Sequence, residues 1–175
     1  MTVSIRRARL DDVDFVHTLT THEDVDPFLA ARRDRSREAL VAEVERSDAD
    51  PEQFGRFVIE VDGEHAGTVT YERVNERSAI AELRNLAVHP SFRGRGVGIE
   101  AARLLQRHLI RDLGFHRLQL EVYGFNERAQ AHAERSGFTR EGVRRSAYRH
   151  ADGWTDGVLY GFVAEDLDDE PQSNT

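Results

Sequence analysis

The chain has 175 residues, with 32 acidic and 24 basic side chains, a formal net charge of −8 and a hydrophobic fraction of 39%. That length suits one domain with its own core, the acidity argues against nucleic acid as the main partner, and no apolar run is long enough to span a bilayer or act as a signal peptide. The absence of Cys excludes disulfides, a Cys₄ zinc site and any acyl transfer through a Cys-acyl intermediate. A cytoplasmic setting is the default expectation, with no membrane partner. The negative charge leans towards a cationic small molecule or a basic protein segment, although solubility alone explains it.

In chain order, Val3 to Arg9 alternates as a first strand, and Asp11-Asp12 offers cap chemistry for a helix through Val13, Val16 and Leu19. Ser36 can cap a second helix carrying Leu40, Val41 and Val44 on one face. Phe57 to Val61, Asp62-Gly63 and Gly67 to Val74 read as a hairpin with a tight Asp-Gly turn. Ile80 to Val88 is the next strand, ended by Pro90. The strongest helix runs from about Gly98 to Leu113, with Ala101, Leu104, Leu105, His108 and Leu109 at helical spacing and Gly114 as its stop. Leu118 to Val122 is a strand and Glu127 to Ser136 a helix ended by Gly137. Strands over Thr139 to Ala147 and Trp154 to Val163 close the list. The order predicts an α/β (α+β) mixed sheet of about seven strands with helices on both faces. One domain is expected over 1–164, followed by an acidic tail, Glu165 to Thr175, expected to be disordered.

Arg93-Gly94-Arg95-Gly96-Val97-Gly98 lies between a strand and an amphipathic helix. Glycines there let backbone N–H groups close on phosphate oxygens, and the helix dipole favours the same anion. A P-loop is excluded because Gly98-Ile99-Glu100 stands where Gly-Lys-Ser/Thr would open the helix. A Rossmann loop is excluded by Ile99 after Gly94 and Gly96, and by the mid-chain position. The eight His show no metal-ligand spacing, so no metal is expected. His108 reads as a packed core residue, and His132 as surface filler or a polar contact near the cofactor. Trp154, Tyr148 and Phe162 read as packing for the C-terminal hairpin. Arg140, Arg144, Arg145 and Arg149 read as a solvated strand face, with contact to a phosphate or an acidic acceptor as the competing reading.

Leu86-Ala87-Val88-x-Pro90 followed by Arg93-x-x-Gly96-x-Gly98 resembles the acetyl-CoA-binding motif of the GNAT superfamily of N-acetyltransferases. Asn126-x-x-Ala129 and Gly137-Phe138 resemble the family's next segment. Glu141-Gly142-x-Arg144 and Asp152-Gly153-Trp154-x-Asp156 are similar to the ribosomal-protein-alanine and polyamine acetyltransferase branches. The resemblance implies a pair of parallel strands splayed in the middle of the sheet to admit the pantetheine arm. Backbone groups of Leu86, Ala87 and Val88 would pair with that arm. N–H groups from Arg93, Gly94, Arg95, Gly96, Val97 and Gly98 would hold the pyrophosphate, and the Asn126 amide would face the cofactor. The Val88 N–H would polarise the thioester carbonyl. The acceptor would be a primary amine: a protein N-terminus, a polyamine or another small amine. With no Cys to carry the acyl group, direct attack in a ternary complex is the natural route. Family members often dimerise, so a homodimer is compatible with the resemblance.

Glu82 is the leading candidate base, because strict alternation from Glu82 to Val88 puts both on one face. An ion-pair role beside Arg84 or Arg117 is the competing reading, and Glu121 is the weaker base. Many family members place a Tyr acid seven residues after the Asn; here that position is Ala133. Tyr148, Tyr123 or a water are left as proton sources for the thiolate. The gap at Ala133 also motivates an alternative, a non-catalytic acyl-CoA-binding sensor.

Overall fold

The computed structural model describes residues 1–29 and 34–167. Seven strands form one sheet in the order β1-β2-β3-β4-β5-β7-β6. They are β1 (Val3–Arg7), β2 (Phe54–Val61), β3 (Glu64–Asn75), β4 (Ile80–Val88), β5 (Arg117–Tyr123), β6 (Thr139–His150) and β7 (Gly153–Val163). The helices are α1 (Val13–Thr20), α2 (Arg37–Ala49), α3 (Val97–Arg107) and α4 (Glu127–Arg135). This is the expected mixed sheet with the expected element order.

Local chemistry explains the boundaries. Ser36 caps α2 by accepting from the Ala39 N–H at 3.2 Å. Asp62 and Gly63 have φ of 51° and 86°, the left-handed pair that a tight hairpin turn requires. Asp12 does not cap α1. Its carboxylate is buried and accepts from Arg6 Nη1 at 2.7 Å, Arg6 Nη2 at 2.9 Å and the Arg9 N–H at 2.7 Å, anchoring a 3₁₀ turn ahead of the helix. The predicted helix from Gly98 to Leu113 is α3 followed by a π-helical turn over His108–Asp112, with Leu113 N–H bonding back to the His108 carbonyl. His108 packs on Phe57 and bonds Asp112, as a core-edge residue.

Two layers of side chains sandwich the sheet. Ala8, Val13, Val16, Leu40 and Val44 pack on Val58, which places α1 and α2 on one face. Val97 and Ala101 pack on Ile59, Val61 and Ala66, which places α3 on the other. Leu105, Ala133 and Phe138 join Leu83, Leu118, Tyr160 and Phe162 in the largest cluster on the α3 face. Three expectations change. Trp154 does not pack the hairpin; it is 62% exposed, under Arg149. The ordered domain continues past 164, because Ala164–Leu167 forms a 3₁₀ turn whose Leu167 is buried in the core. Residues 168–175 of the expected tail lie outside the described residues.

The third change concerns β4. Thr70 lies opposite Arg84 and Thr68 opposite Ala87, so β4 carries one residue more than β3 between those pairs. Asn85 absorbs the extra residue at φ 53°, a conformation that Asn tolerates better than most residues. The bulge reverses the alternation. Glu82 and Arg84 share the α2 side, while Leu86 and Val88 pack with Val97 and Ala101 of α3. Glu82 and Val88 therefore lie on opposite faces, not on one.

Candidate active site

β4 and β5 run parallel but pair only over Ile80–Glu82 and Arg117–Gln119. Beyond Glu82 the strands part, which is the predicted splay. The gap opens into a cavity of about 520 Å³. Its wall includes Leu86, Ala87 and Val88 of β4, Gly96 and Gly98 of the loop, Asn126 and His132 of the α4 segment, and Tyr148 of β6.

At one end stands the Gly-rich loop. Gly94 and Gly96 have φ of 74° and 77°, and a Cβ at either would meet nothing within 4 Å. Their role is conformational. Gly96 is also the N-cap of α3, so the first N–H groups of that helix have no partner within it and point towards the cavity mouth. Gly98 is different: a Cβ there would sit 3.0 Å from His132 Nε2 and 3.4 Å from Val88 Cγ2. Its role is space. Arg93 braces the loop, with Nε donating to the Val88 carbonyl at 3.0 Å and Nη2 to the Asp24 carbonyl at 3.2 Å. Arg95 is exposed, over the Phe92 ring. The His89 N–H donates to the Ala66 carbonyl of β3. Strand alternation then turns the Val88 N–H away from β3, into the gap.

Asn126 is buried, and its Oδ1 accepts from the Ala129 N–H at 3.1 Å, capping α4. Its amide nitrogen is left for the cavity. Ala133, where the family often has Tyr, is 2% exposed and part of the core.

The other end carries carboxylates and aromatic rings. Glu82 lines the wall, but Oε1 accepts from Arg84 Nε at 2.6 Å and Oε2 from Gln119 Nε2 at 3.1 Å. Both oxygens are engaged, as in the ion-pair reading. Glu121 stands two residues past Gln119, on the same face. Its Oε2 accepts from Arg144 at 3.0 Å, while Oε1 is buried beside the Tyr148 ring. The two side chains meet over Gly157, whose missing Cβ would lie 1.9 Å from Glu121 Oε1. Burial, then the Glu121 carboxylate, pushes the Tyr148 hydroxyl up to about 12, so it stays protonated at neutral pH. Tyr123 packs edge-on to Tyr148 and stacks on Phe125, which itself stacks on His150. Asp24, Val25, Phe28 and Leu29 add the segment after α1 to the wall.

Sequence reasoning placed Glu121 behind Glu82 and did not single out Phe28, and both line the cavity. Nothing local marks them, because their placement depends on β5 pairing with β7 and on the fold of the 21–29 segment. Among the described residues, no group of three or more His, Asp or Glu is placed to hold a metal ion. No described helix is long and apolar enough to cross a membrane.

Comparison with known proteins agrees with this geometry. The chain is 30% identical over 145 residues to the spermidine N(1)-acetyltransferase of Escherichia coli K12, covering 80% of this chain and 74% of that enzyme. It is 40% identical over 82 residues to the ribosomal protein bS18-alanine N-acetyltransferase of Salmonella typhimurium, covering 45% of this chain and 53% of that enzyme. The crystal structure of spermidine N-acetyltransferase from Vibrio cholerae in complex with CoA and spermine superposes with a TM-score of 0.81 at 19% identity, over 94% of this chain and 97% of that one. Residues 16–138 match the Acetyltransferase (GNAT) family, and the chain belongs to that family as an N-acetyltransferase.

Proposed function

We propose that the chain moves an acetyl group from acetyl-CoA to a primary amine by direct attack in a ternary complex. The observation that carries this reading is the gap between β4 and β5. It joins the α3 N-terminus at one end to the Glu121–Tyr148 pair at the other. The groups present fit acetyl-CoA: unpaired helix N–H groups for the pyrophosphate, a free strand edge at Leu86, Ala87 and Val88 for the pantetheine arm, and the Asn126 amide beside it. The backbone of Arg93 to Gly98 carries the phosphate contacts, since the Arg93 side chain is committed to bracing.

The acceptor arrives mostly as an ammonium ion; at pH 7 roughly one alkylamine molecule in a few thousand, and roughly one protein N-terminus in ten, is the free base. Glu82 and Glu121 attract the cation, and the aromatic wall shields it from water. The neutral nitrogen attacks the thioester carbonyl carbon, whose oxygen accepts from the Val88 N–H. The Glu121 carboxylate takes the proton from nitrogen, directly or through a water, and passes it to solvent. The C–S bond then breaks. A thiolate has a reference pKa near 8.5, well below that of Tyr148. The phenol therefore stabilises the leaving sulfur by hydrogen bonding, and the sulfur takes its proton from water.

Protein N-termini, polyamines and other small amines share this chemistry. A panel of spermidine, alanine-initiated peptides and simple amines, read by CoA thiol release, tests the proposal. The chain has no Cys, so the thiol reagent reports CoA alone. Acetyl-CoA is expected to raise Tm, and at least one amine to release CoA. Failure to bind acetyl-CoA at millimolar concentration refutes the proposal. Binding with no release by any amine moves the function to an acyl-CoA sensor.

A further inference from the structure

The ladder between β6 and β7 breaks beside the cavity. Arg144 lies opposite Gly157 and Tyr148 opposite Thr155. Between those pairs β6 carries Arg145, Ser146 and Ala147, while β7 carries Asp156 alone. The surplus on β6 forms a bulge, a device that re-aims side chains next to a site. In a regular hairpin Ser146 would face Thr155, and Tyr148 would face Gly153, about 7 Å further along β7. The bulge pulls Tyr148 back. Arg144 Nη1 and the Tyr148 hydroxyl come within 3.5 Å, and the Tyr148 ring stands beside Glu121 over Gly157.

The bulge does not hold itself. Ser146 has φ 49°, a left-handed conformation uncommon outside Gly, Asn and Asp. It has no opposite residue on β7. Asp156 supplies the missing partner: its Oδ1 accepts from the Ser146 N–H at 2.7 Å. The Asp156 carbonyl also accepts from the Gly124 N–H at 2.8 Å, just beyond the end of β5. Gly124 permits this approach, because a Cβ there would stand 3.3 Å from Asp156 Cβ. Asp156 thus joins β5, which carries Glu121, to the bulge that places Arg144 and Tyr148. Its own side chain is exposed and lies outside the cavity wall.

We propose that Asp156 is a positioning residue for acetyl transfer: by clamping the β6 bulge at Ser146, it sets Tyr148 and Arg144 against Glu121. The proposal rests on the acetyl-transfer reading, with Glu121 taking the amine proton and Tyr148 at the leaving sulfur. Asp156 acts through that pair and touches neither substrate.

Two variants separate the clamp from the strand. Asp156→Thr removes the clamp, because its hydroxyl is one atom too short, while a β-branched residue suits the strand and keeps the fold. Asp156→Asn keeps a side-chain oxygen at the same reach. Both are assayed by CoA thiol release with the amine of the panel that the wild type uses best. In D156T kcat is expected to fall about tenfold or more, the scale of a catalytic group moving by up to about 1 Å, and in D156N to recover to within about threefold of wild type. Kd for acetyl-CoA should stay within about twofold in both, since the donor end does not depend on the bulge. In the Glu121→Gln background, D156T should cost less than about twofold more, because both changes disable one unit. D156T with wild-type kcat, D156N as slow as D156T, or an undiminished loss from D156T on top of Glu121→Gln overturns the proposal. A role confined to stability lowers Tm alone and gives the first of these results. Glu121→Gln with wild-type kcat refutes the role given to Glu121 instead. Wild-type protein from which no amine releases CoA refutes the acetyl-transfer reading, so the failures are distinguishable.

Discussion

Gly157→Ala tests the proposed catalytic end of the cavity with one methyl group. Gly157 lies on β7 opposite Tyr123 of β5 and Arg144 of β6. An added Cβ would stand 1.9 Å from Glu121 Oε1 and 2.9 Å from Tyr148 Cε2. Ordinary contact begins near about 3.5 Å, so the carboxylate must retreat by about 1.6 Å. The displaced atoms are side-chain ends, and replacing a strand glycine recovers backbone entropy. The stability cost should therefore stay near about 1 kcal/mol. The rate should suffer far more, because a misplacement of about 1 Å in a catalytic group can cost roughly 100-fold. The assay is kcat and KM by thiol release, with Tm and the acetyl-CoA Kd measured alongside. We expect kcat to fall about 100-fold, with Kd within twofold. Gly161→Ala is the control on the same strand and face. Its Cβ would stand 2.2 Å from Glu141 Oε1 and 2.7 Å from Arg117 Nη1, an ion pair outside the cavity. It should cost stability and leave kcat intact. Wild-type kcat in G157A refutes the roles given to Glu121 and Tyr148. An equal loss in G161A refutes the argument from local displacement.

Two further substitutions separate structure from binding. Asn126→Ser keeps a capping oxygen for α4 but removes the amide nitrogen, so thermal stability should hold within a few tenths of a kcal/mol while CoA affinity falls about tenfold; Asn126→Ala should lose about 1 kcal/mol of stability as well. Asp12→Asn should destabilise by about 2–3 kcal/mol at pH 7, read from urea midpoints, by breaking the buried pair with Arg6. Burial alone would push the Asp12 carboxyl up, but the Arg6 hydrogen bonds and the Arg9 N–H outweigh it and hold it below 3.8. A depressed folded-state value means the stabilisation is full above the unfolded value near pH 4 and is lost as pH falls below it. The gap between wild type and Asp12→Asn should therefore narrow at pH 3.

The Gly-rich loop and the helix behind it were legible in the sequence because their signals are local. Gly94 and Gly96 need left-handed angles, and α3 must start after them whatever the rest of the chain does. Asn126 was singled out by the family resemblance alone; its capping of α4 came from the structure. The acceptor end was not legible. Glu121 depends on which strand pairs with β5, and that strand, β7, comes more than 30 residues later. Trp154 was misread because a large aromatic residue after a turn usually packs inward, and here Arg149 covers it at the surface instead. Residues 30–33 lie outside the described residues.

The bulge at Asn85 was invisible to alternation, yet it organises the site. A regular β4 would turn the Glu82 and Val88 side chains the same way. One inserted residue sends the Val88 side chain down towards α3 and leaves Glu82 with Gln119 on the opposite face. Asn85 holds this arrangement from its own side chain, with Nδ2 donating to Thr70 Oγ1 at 3.3 Å. The bulge falls where the ladder to β5 has already ended at Glu82. It therefore breaks no pairing on that side. Instead it re-aims the free edge of β4 at the place where the strands have begun to part. Splay gives the cavity its volume and the bulge gives it two chemically distinct walls. In the proposed reaction, a donor entering along the α3 side and an amine entering past Glu82 and Glu121 would meet at the strand gap from opposite faces, the geometry that direct transfer needs.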